Sequence, residues 1–156
     1  MKEKIILLSL FFLLFSGSIM AQASISIFKN TDMNFGTIAA STAGTVILSA
    51  SGSRTASGGL MLPSFTGAVS AAQFTVNGDP NYTYTITLPT NYTLYESGIG
   101  PASMLVNAFT STPSATGNLS GGTETILVGA TLTVGGSQTA GYYTNGIGFE
   151  VTVNYN

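Results

Sequence analysis

The sequence predicts an all-β protein built as an antiparallel β-sandwich. Several segments alternate apolar and polar residues with a period of two, which is typical of half-buried strands. Clusters of Gly, Ser, Thr and Asn separate these segments, and no stretch shows sustained helical spacing with capping residues. Many short strands without intervening helices favour a sandwich over a mixed α/β fold.

The N-terminus has the three parts of a secretory signal peptide. Two lysines precede a stretch at residues 5–15 that is apolar except for Ser9, and an A-x-A pattern ends at Ala23. That stretch is too short to cross a membrane, which takes about 20 apolar residues. We therefore expect a signal peptide over residues 1–23, cleaved after Ala21 or Ala23. Residues 24–156 then form one domain, with no segment that inserts into a membrane after cleavage.

The strand signals are weak in the first third of the mature chain and clear in its middle. Short apolar runs predict strands at residues 25–28, 33–35, 45–48, 60–62 and, further on, 104–109. Residues 82–88 alternate without a break and stop at Pro89. Residues 74–76 alternate likewise, and turn-forming residues fill positions 77–81 between the two runs. We expect a β-hairpin here.

Two longer alternating segments follow. Residues 125–134 alternate throughout, and Gly129 in the middle predicts a bulge or a bend. Residues 147–156 predict a strand that runs to the C-terminus. One face of this last strand carries its apolar side chains, which are Phe149, Val151, Val153 and Tyr155.

The chain is almost uncharged. Only 6% of its residues carry a charge, whereas about 25% do in ordinary soluble domains. Without the signal peptide the net charge is −3, from two basic and five acidic residues, which are Lys29, Arg54, Asp32, Asp79, Glu96, Glu124 and Glu150. We therefore expect neither nucleic acid nor anionic lipid as a partner. Such a surface suits either a neutral exported protein or a protein that associates with its own copies.

Residue types needed for most catalytic chemistry are absent. The sequence has no His and no Cys, so it offers no Ser-His or Cys-His pair, no disulfide and none of zinc's preferred ligands. The acidic residues are isolated from one another, which disfavours a carboxylate pair for glycoside hydrolysis. Asp79 lies among Gly, Pro and Asn, a context typical of a turn and not of a calcium loop. We expect no enzyme, no cofactor and no metal.

Two sets of exposed residues are candidates for contacts. Thr83, Thr85 and Thr87 form a row on one strand face, which is more typical of a solvent face than of a hydroxyl array that binds sugar or ice. Tyr142 and Tyr143 follow a glycine outside the clear strands, and we retain this pair as a possible exposed contact.

Several segments, in this order and spacing, resemble an exported bacterial family catalogued as domain of unknown function 4402. The resemblance covers the whole mature chain and rests on NFGTI (34–38), SRTASGG (53–59), AAQFTVNG (71–78), YTITLP (84–89), LVGATL (127–132) and VTVNYN (151–156). More distantly, the early Asn-Phe-Gly and the Gly-Tyr-Tyr-Thr before the last strand are similar to spore coat protein U and archaic chaperone-usher pilin domains. The second resemblance implies an immunoglobulin-like sandwich that polymerises by strand donation.

These observations predict a secreted structural or surface-assembly module, at the cell surface, in the periplasm or outside the cell. Its mechanism would be backbone pairing at exposed strand edges, with further copies or related subunits, and with a periplasmic chaperone as a possible partner. The residues expected to contribute are Ile25, Ile27, Phe28, Phe149, Val151, Val153 and Tyr155. In one alternative these segments pair within one molecule. In another the protein is a monomeric surface domain that binds glycan or host protein through its loops.

Overall fold

A computed structural model describes residues 22–65 and 67–156 of the chain. The predicted signal peptide lies outside the described residues, except for its last two positions. The described part is all-β and its strands pair antiparallel, as the sequence predicts, in an arrangement consistent with an immunoglobulin-like sandwich. The strands are β1 (Ser26–Thr31), β2 (Ala39–Leu48), β3 (Arg54–Met61), β4 (Ala72–Asn77), β5 (Thr83–Thr87), β6 (Asn91–Glu96), β7 (Ser103–Thr112), β8 (Thr116–Asn118), β9 (Thr123–Val134), β10 (Tyr143–Thr144) and β11 (Thr152–Tyr155). A single 3-10 turn, Ser120–Gly122, precedes β9.

The large sheet is organised around β9. On one side β9 pairs with β7, and β6 and β10 follow outward. On the other side its first half pairs with β4, which carries β1, and its second half pairs with β2, which carries β3. The N-terminal strand and the β2–β3 hairpin therefore lie in succession along the same side of β9.

The small sheet has the order β11-β5-β8 and covers the first half of the large sheet. Between the sheets is one cluster of buried side chains, comprising Ala72, Phe74, Val76, Tyr84, Ile86, Leu119, Ile126, Val128, Val151 and Val153. A second buried cluster lies under the other half of the large sheet and comprises Phe35, Val46, Leu48, Leu60, Val106, Ala130, Leu132 and Val134. Alternate residues of β9 contribute to each cluster in turn, so this strand joins the two halves of the core.

The predicted hairpin of residues 74–88 is wrong. Its strands exist as β4 and β5, but β4 belongs to the large sheet and β5 to the small one. Between them the chain crosses from one sheet to the other, with Asn81 at a positive φ of 67°. Backbone hydrogen bonds from Gly78 and Asn81 reach Gly122 and Leu119 and hold the crossing in place. The turn residues at 77–81 therefore predicted correctly that the chain changes direction, but they did not predict which strands β4 and β5 pair with.

The C-terminal strand is shorter than predicted. It begins at Thr152, and residues 145–148 form a turn in which the Ile147 side chain is 94% exposed. The predicted apolar face of the segment is correct. Val151 and Val153 are buried, and Phe149 and Tyr155 pack against the same cluster.

Several weaker strand predictions also change. Residues 33–35 form only an isolated bridge, from Asn34 to Ser70. Residues 60–62 are only the end of the eight-residue strand β3. Strands β6, β8 and β10 were not predicted, because their alternation is short or interrupted by Asn, Gly and Thr.

The bulge or bend predicted at Gly129 takes another form, because this glycine marks a close approach of backbone. A Cβ atom at this position would lie 2.2 Å from the Leu48 carbonyl oxygen and 2.6 Å from the Ser49 carbonyl carbon. The irregular pairing lies on the neighbouring strand β7, where the register shifts between Asn107 and Thr110 opposite Gly129.

We expect Gly129→Ala to destabilise the fold by about 1–3 kcal/mol, because the added methyl group meets backbone and not a mobile side chain. Urea unfolding followed by circular dichroism measures the loss. Gly146→Ala is the control, since a Cβ atom there meets nothing within 4 Å. Equal midpoints for the two variants would contradict the close approach.

Candidate strand-pairing edge

Strands β1 and β11 are edge strands of different sheets on the same side of the sandwich. β1 pairs only with β4 in the large sheet, and β11 pairs only with β5 in the small sheet. Cα atoms of the two strands approach within 8 Å, yet no backbone hydrogen bond joins them within the described residues. The structure thus does not close the sandwich by pairing these two segments with each other.

The outer edge of β11 presents backbone groups without a partner. Ile86 donates its N–H to Ala115 on the β8 side of β5. Val153 pairs with Ile86, and in such a non-hydrogen-bonded antiparallel pair both residues direct their N–H and C=O groups away from each other. Val153, and by alternation Tyr155, therefore point these groups outward, and nothing in residues 22–65 or 67–156 binds them.

The edge of β1 is built in the same way. Gly78 donates its N–H toward β9, so by alternation the N–H and C=O groups of Val76 and Phe74 also face β9. Their partners on β1 are Ile27 and Lys29, and these two residues direct their backbone groups outward. Ile25 and Ile27 pack against the core, whereas Phe28 points to the outer face and is 59% exposed.

Two features protect the edge of β1. Lys29 pairs with Phe74 and lies in an edge strand with its side chain 53% exposed, and such a charge opposes pairing with the same edge of another copy. The register then shifts between Lys29 and Thr31, and such a bulge interrupts a regular edge. Lys29 also forms an exposed ion pair of 2.5 Å with Asp32.

The turn at Asp79 connects the two edges. Asp79 donates its N–H to the Tyr155 hydroxyl at 2.6 Å, and its carboxylate accepts the Ala23 N–H at 2.8 Å. The Tyr155 ring contacts the Tyr82 ring edge-on at 5.6 Å. The end of β11 and the residues before β1 are thereby fixed to one point.

The Phe149 ring holds the residues that lead into β11. Its centroid lies 6.1 Å from that of Phe74, 5.9 Å from Tyr92 and 5.1 Å from Phe109. These contacts come from β4, β6 and β7 of the large sheet. The residues that lead into β11 are therefore packed against the large sheet.

The remaining edges are short or irregular. β8 has three residues and β10 has two, and short edges offer little to a pairing strand. β3 is longer, but Gly58 has a positive φ of 69° inside it. The register of β2 against β3 also shifts between Ala40 and Gly44. Among the described edge strands longer than three residues, β11 is the one without charge, proline, bulge or positive φ.

The predicted Tyr142 and Tyr143 pair separates into two environments. Tyr142 is 74% exposed. Tyr143 lies in β10 and is half-buried, with its hydroxyl donating to the Thr139 carbonyl and accepting from the Gln138 amide, both at 2.7 Å. Only Tyr142 is available as an exposed contact.

One buried polar interaction lies between the two sheets. The hydroxyl of fully buried Tyr84 donates to the Glu124 carboxylate at 2.7 Å, and Asn118 donates its N–H to the same oxygen at 2.7 Å. This bond joins the two sheets. Burial, and then the Glu124 carboxylate, raise the pKa of Tyr84 above its ordinary value of 10.0.

Among the described residues, no three Asp or Glu side chains come together as metal ligands would, and no helix is long and apolar enough to span a membrane.

Replacing Tyr84 should change how the stability of the protein depends on pH. Above pH 10 the folded protein keeps a proton on Tyr84 that the unfolded chain releases, so stability falls as the pH rises. We expect Tyr84→Phe to lose about 1 kcal/mol at neutral pH and to show a smaller further loss in alkaline buffer. Melting temperatures across the pH range test this. Tyr142→Phe, which changes an exposed ring, should follow the parent protein, and a parallel decline in Tyr84→Phe would refute the assignment.

Comparison with known proteins gives a family. Residues 25–155 match the model described as Domain of unknown function (DUF4402). No curated protein and no solved structure matches the chain. Since the match extends from just before β1 to the last residue of β11, the chain belongs to the DUF4402 family.

Proposed function

We propose that the protein is a structural subunit that assembles at the surface of the cell by pairing backbone at the outer edge of β11. The observation that carries this proposal is the row of unpaired N–H and C=O groups at Val153 and Tyr155. A sheet edge of this kind is a template for another strand.

The N-terminal segment of a second copy is the proposed partner. Ile27 and Lys29 also direct backbone groups outward, so β1 and β11 of different copies are complementary in hydrogen bonding. The contact is heterologous, because β1 of one copy meets β11 of the next. Such contacts continue from subunit to subunit when the rotation between copies does not close a ring.

Charge offers little resistance to this association. The mature chain has a net charge of −3 spread over the whole surface, and β11 itself carries none. Copies therefore repel one another weakly at close range.

The finer form of the proposal is a pilin-like subunit of an exported fibre. The distant resemblance to chaperone-usher pilins supports it. An unguarded edge is a site of unwanted aggregation before assembly. A periplasmic chaperone that covers β11 would remove that hazard, and related subunits would then replace the chaperone.

A second candidate function is binding of glycan or host protein through loops. The observation in its favour is that the most exposed large apolar side chains lie in or beside the loops at the end of the sandwich where β9 finishes. They are Met61, Phe65, Ile99, Tyr142 and Ile147, with exposed fractions of 63%, 95%, 95%, 74% and 94%.

A lysine on β11 tests the assembly. Asn154 is exposed in the middle of the strand, so Asn154→Lys adds a guarding charge without disturbing the core. We expect the parent protein to increase in mass with concentration in size-exclusion chromatography with light scattering. The variant should need a concentration higher by about tenfold, equivalent to ~1.4 kcal/mol. Negative-stain electron microscopy shows whether the parent assemblies are filaments.

The matched control is Thr85→Lys. Thr85 pairs with Asn154 and is exposed, but it lies on the central strand of the same sheet. This control should assemble like the parent. Deleting residues 24–29 should also abolish assembly, because it removes most of the β1 edge that pairs with β11 of the next copy. A parent protein that stays monomeric at every concentration, or assembly equally reduced by both lysines, would refute pairing at β11.

A further inference from the structure

The outer face of the large sheet carries two regular rows of uncharged side chains across five strands. In strand order β3, β2, β9, β7 and β6, the first row is Thr55, Ile47, Thr131, Asn107 and Asn91. The second row is Ser57, Thr45, Thr133, Leu105 and Thr93. These residues alternate with buried Val46, Leu132 and Val106, so they point to the outside. In the described part of the chain no strand from the other sheet packs over this face.

The rows form a regular array composed mostly of hydroxyl and amide groups. Neighbouring strands lie about 4.8 Å apart, and residues two positions apart along a strand are separated by about 6.8 Å. Thr45 and Ser57 already hydrogen-bond to each other at 2.7 Å, which shows that side chains of adjacent strands meet across the array. Ile47 and Leu105 add two aliphatic patches that are 51% and 40% exposed.

A depression opens on the same face, beside the first row. It is open to solvent and has a volume of about 510 Å³. Ile47 and Thr131 contribute to its wall together with Ser51, Thr110 and Thr112.

The wall of the depression includes Ala108, which has a positive φ of 48° where β7 shifts register. A non-glycine residue in this backbone region costs of order 1 kcal/mol or more. The strain is located at the wall of the depression.

We propose that this face binds an uncharged polysaccharide, with one sugar unit in the depression and the adjoining chain along the rows. Hydroxyl and amide side chains both donate and accept hydrogen bonds, which matches a polyhydroxylated ligand. The aliphatic side chains of Ile47 and Leu105 contact the C–H faces of sugar rings. None of the seven charged residues of the mature chain lies in either row, so the face has no cation for an acidic polymer and no anion for a basic one.

Sedimentation with insoluble polysaccharides tests the site. The probes are microcrystalline cellulose, chitin and an insoluble neutral α-glucan, with alginate gel as the acidic comparison. We expect the protein to bind at least one neutral polymer, to ignore alginate, and to bind equally in high salt. Thr131→Glu should weaken binding by about tenfold or more, because it places an unpaired carboxylate where the ligand displaces water.

Thr87→Glu is the matched control, since it makes the same change on the exposed face of the small sheet. Its binding should equal that of the parent, and circular dichroism should show both variants folded. Tyr142→Ala should also leave binding unchanged, because Tyr142 belongs to the loops. Failure to bind any neutral polymer, binding to alginate alone, equal loss in Thr131→Glu and Thr87→Glu, or loss in Tyr142→Ala alone would each overturn the proposal. Asn154→Lys, which tests assembly, should still bind as a monomer, so the two proposals can fail separately.

Discussion

The structure depends on β9, which pairs with β4 and then β2 along one side and with β7 over residues 127–133 on the other. This twelve-residue strand contributes Ile126, Val128, Ala130, Leu132 and Val134 to the buried core. With no disulfide and almost no charge, the chain depends mainly on burial and hydrogen bonds for its stability. Because β4 and β2 share one side of β9 in succession, the core continues past the point where the small sheet ends.

The sequence was sufficient for features that follow from alternation alone. The inward face of β9 and the burial of Val151 and Val153 could be predicted, because a period of two places residues on faces whatever the partner strand is. Strands β3 and β6 were missed or shortened because Gly, Ser and Asn interrupt their apolar pattern, and neighbouring strands supply the pairing that makes them regular.

Partners of strands could not be predicted in the same way. The residues between β4 and β5 fit a hairpin turn as well as they fit a crossing between sheets, and contacts with Leu119 and Gly122 decide between them. Likewise, nothing in residues 25–28 or 149–155 shows that the two segments lie at edges on one side of the sandwich. That follows from the pairing of β1 with β4 and of β11 with β5. The two rows on the outer face depend on the register of five strands, which no short segment contains.

The proposed assembly edge at β11 and the proposed polysaccharide-binding face of the large sheet both depend on the scarcity of charge. They do not compete for space. Pairing at β11 extends a sheet sideways, within its plane, whereas the rows on the large sheet point perpendicular to their own plane. An assembly that grows through its edges therefore leaves each outer face free. Copies held in series would present the same array repeatedly, and a polymer bound by one copy is then at high effective concentration for the next. Contacts that are individually weak, as uncharged hydrogen bonds to sugars are, gain the most from such repetition because each further contact lowers the rate at which the whole chain dissociates.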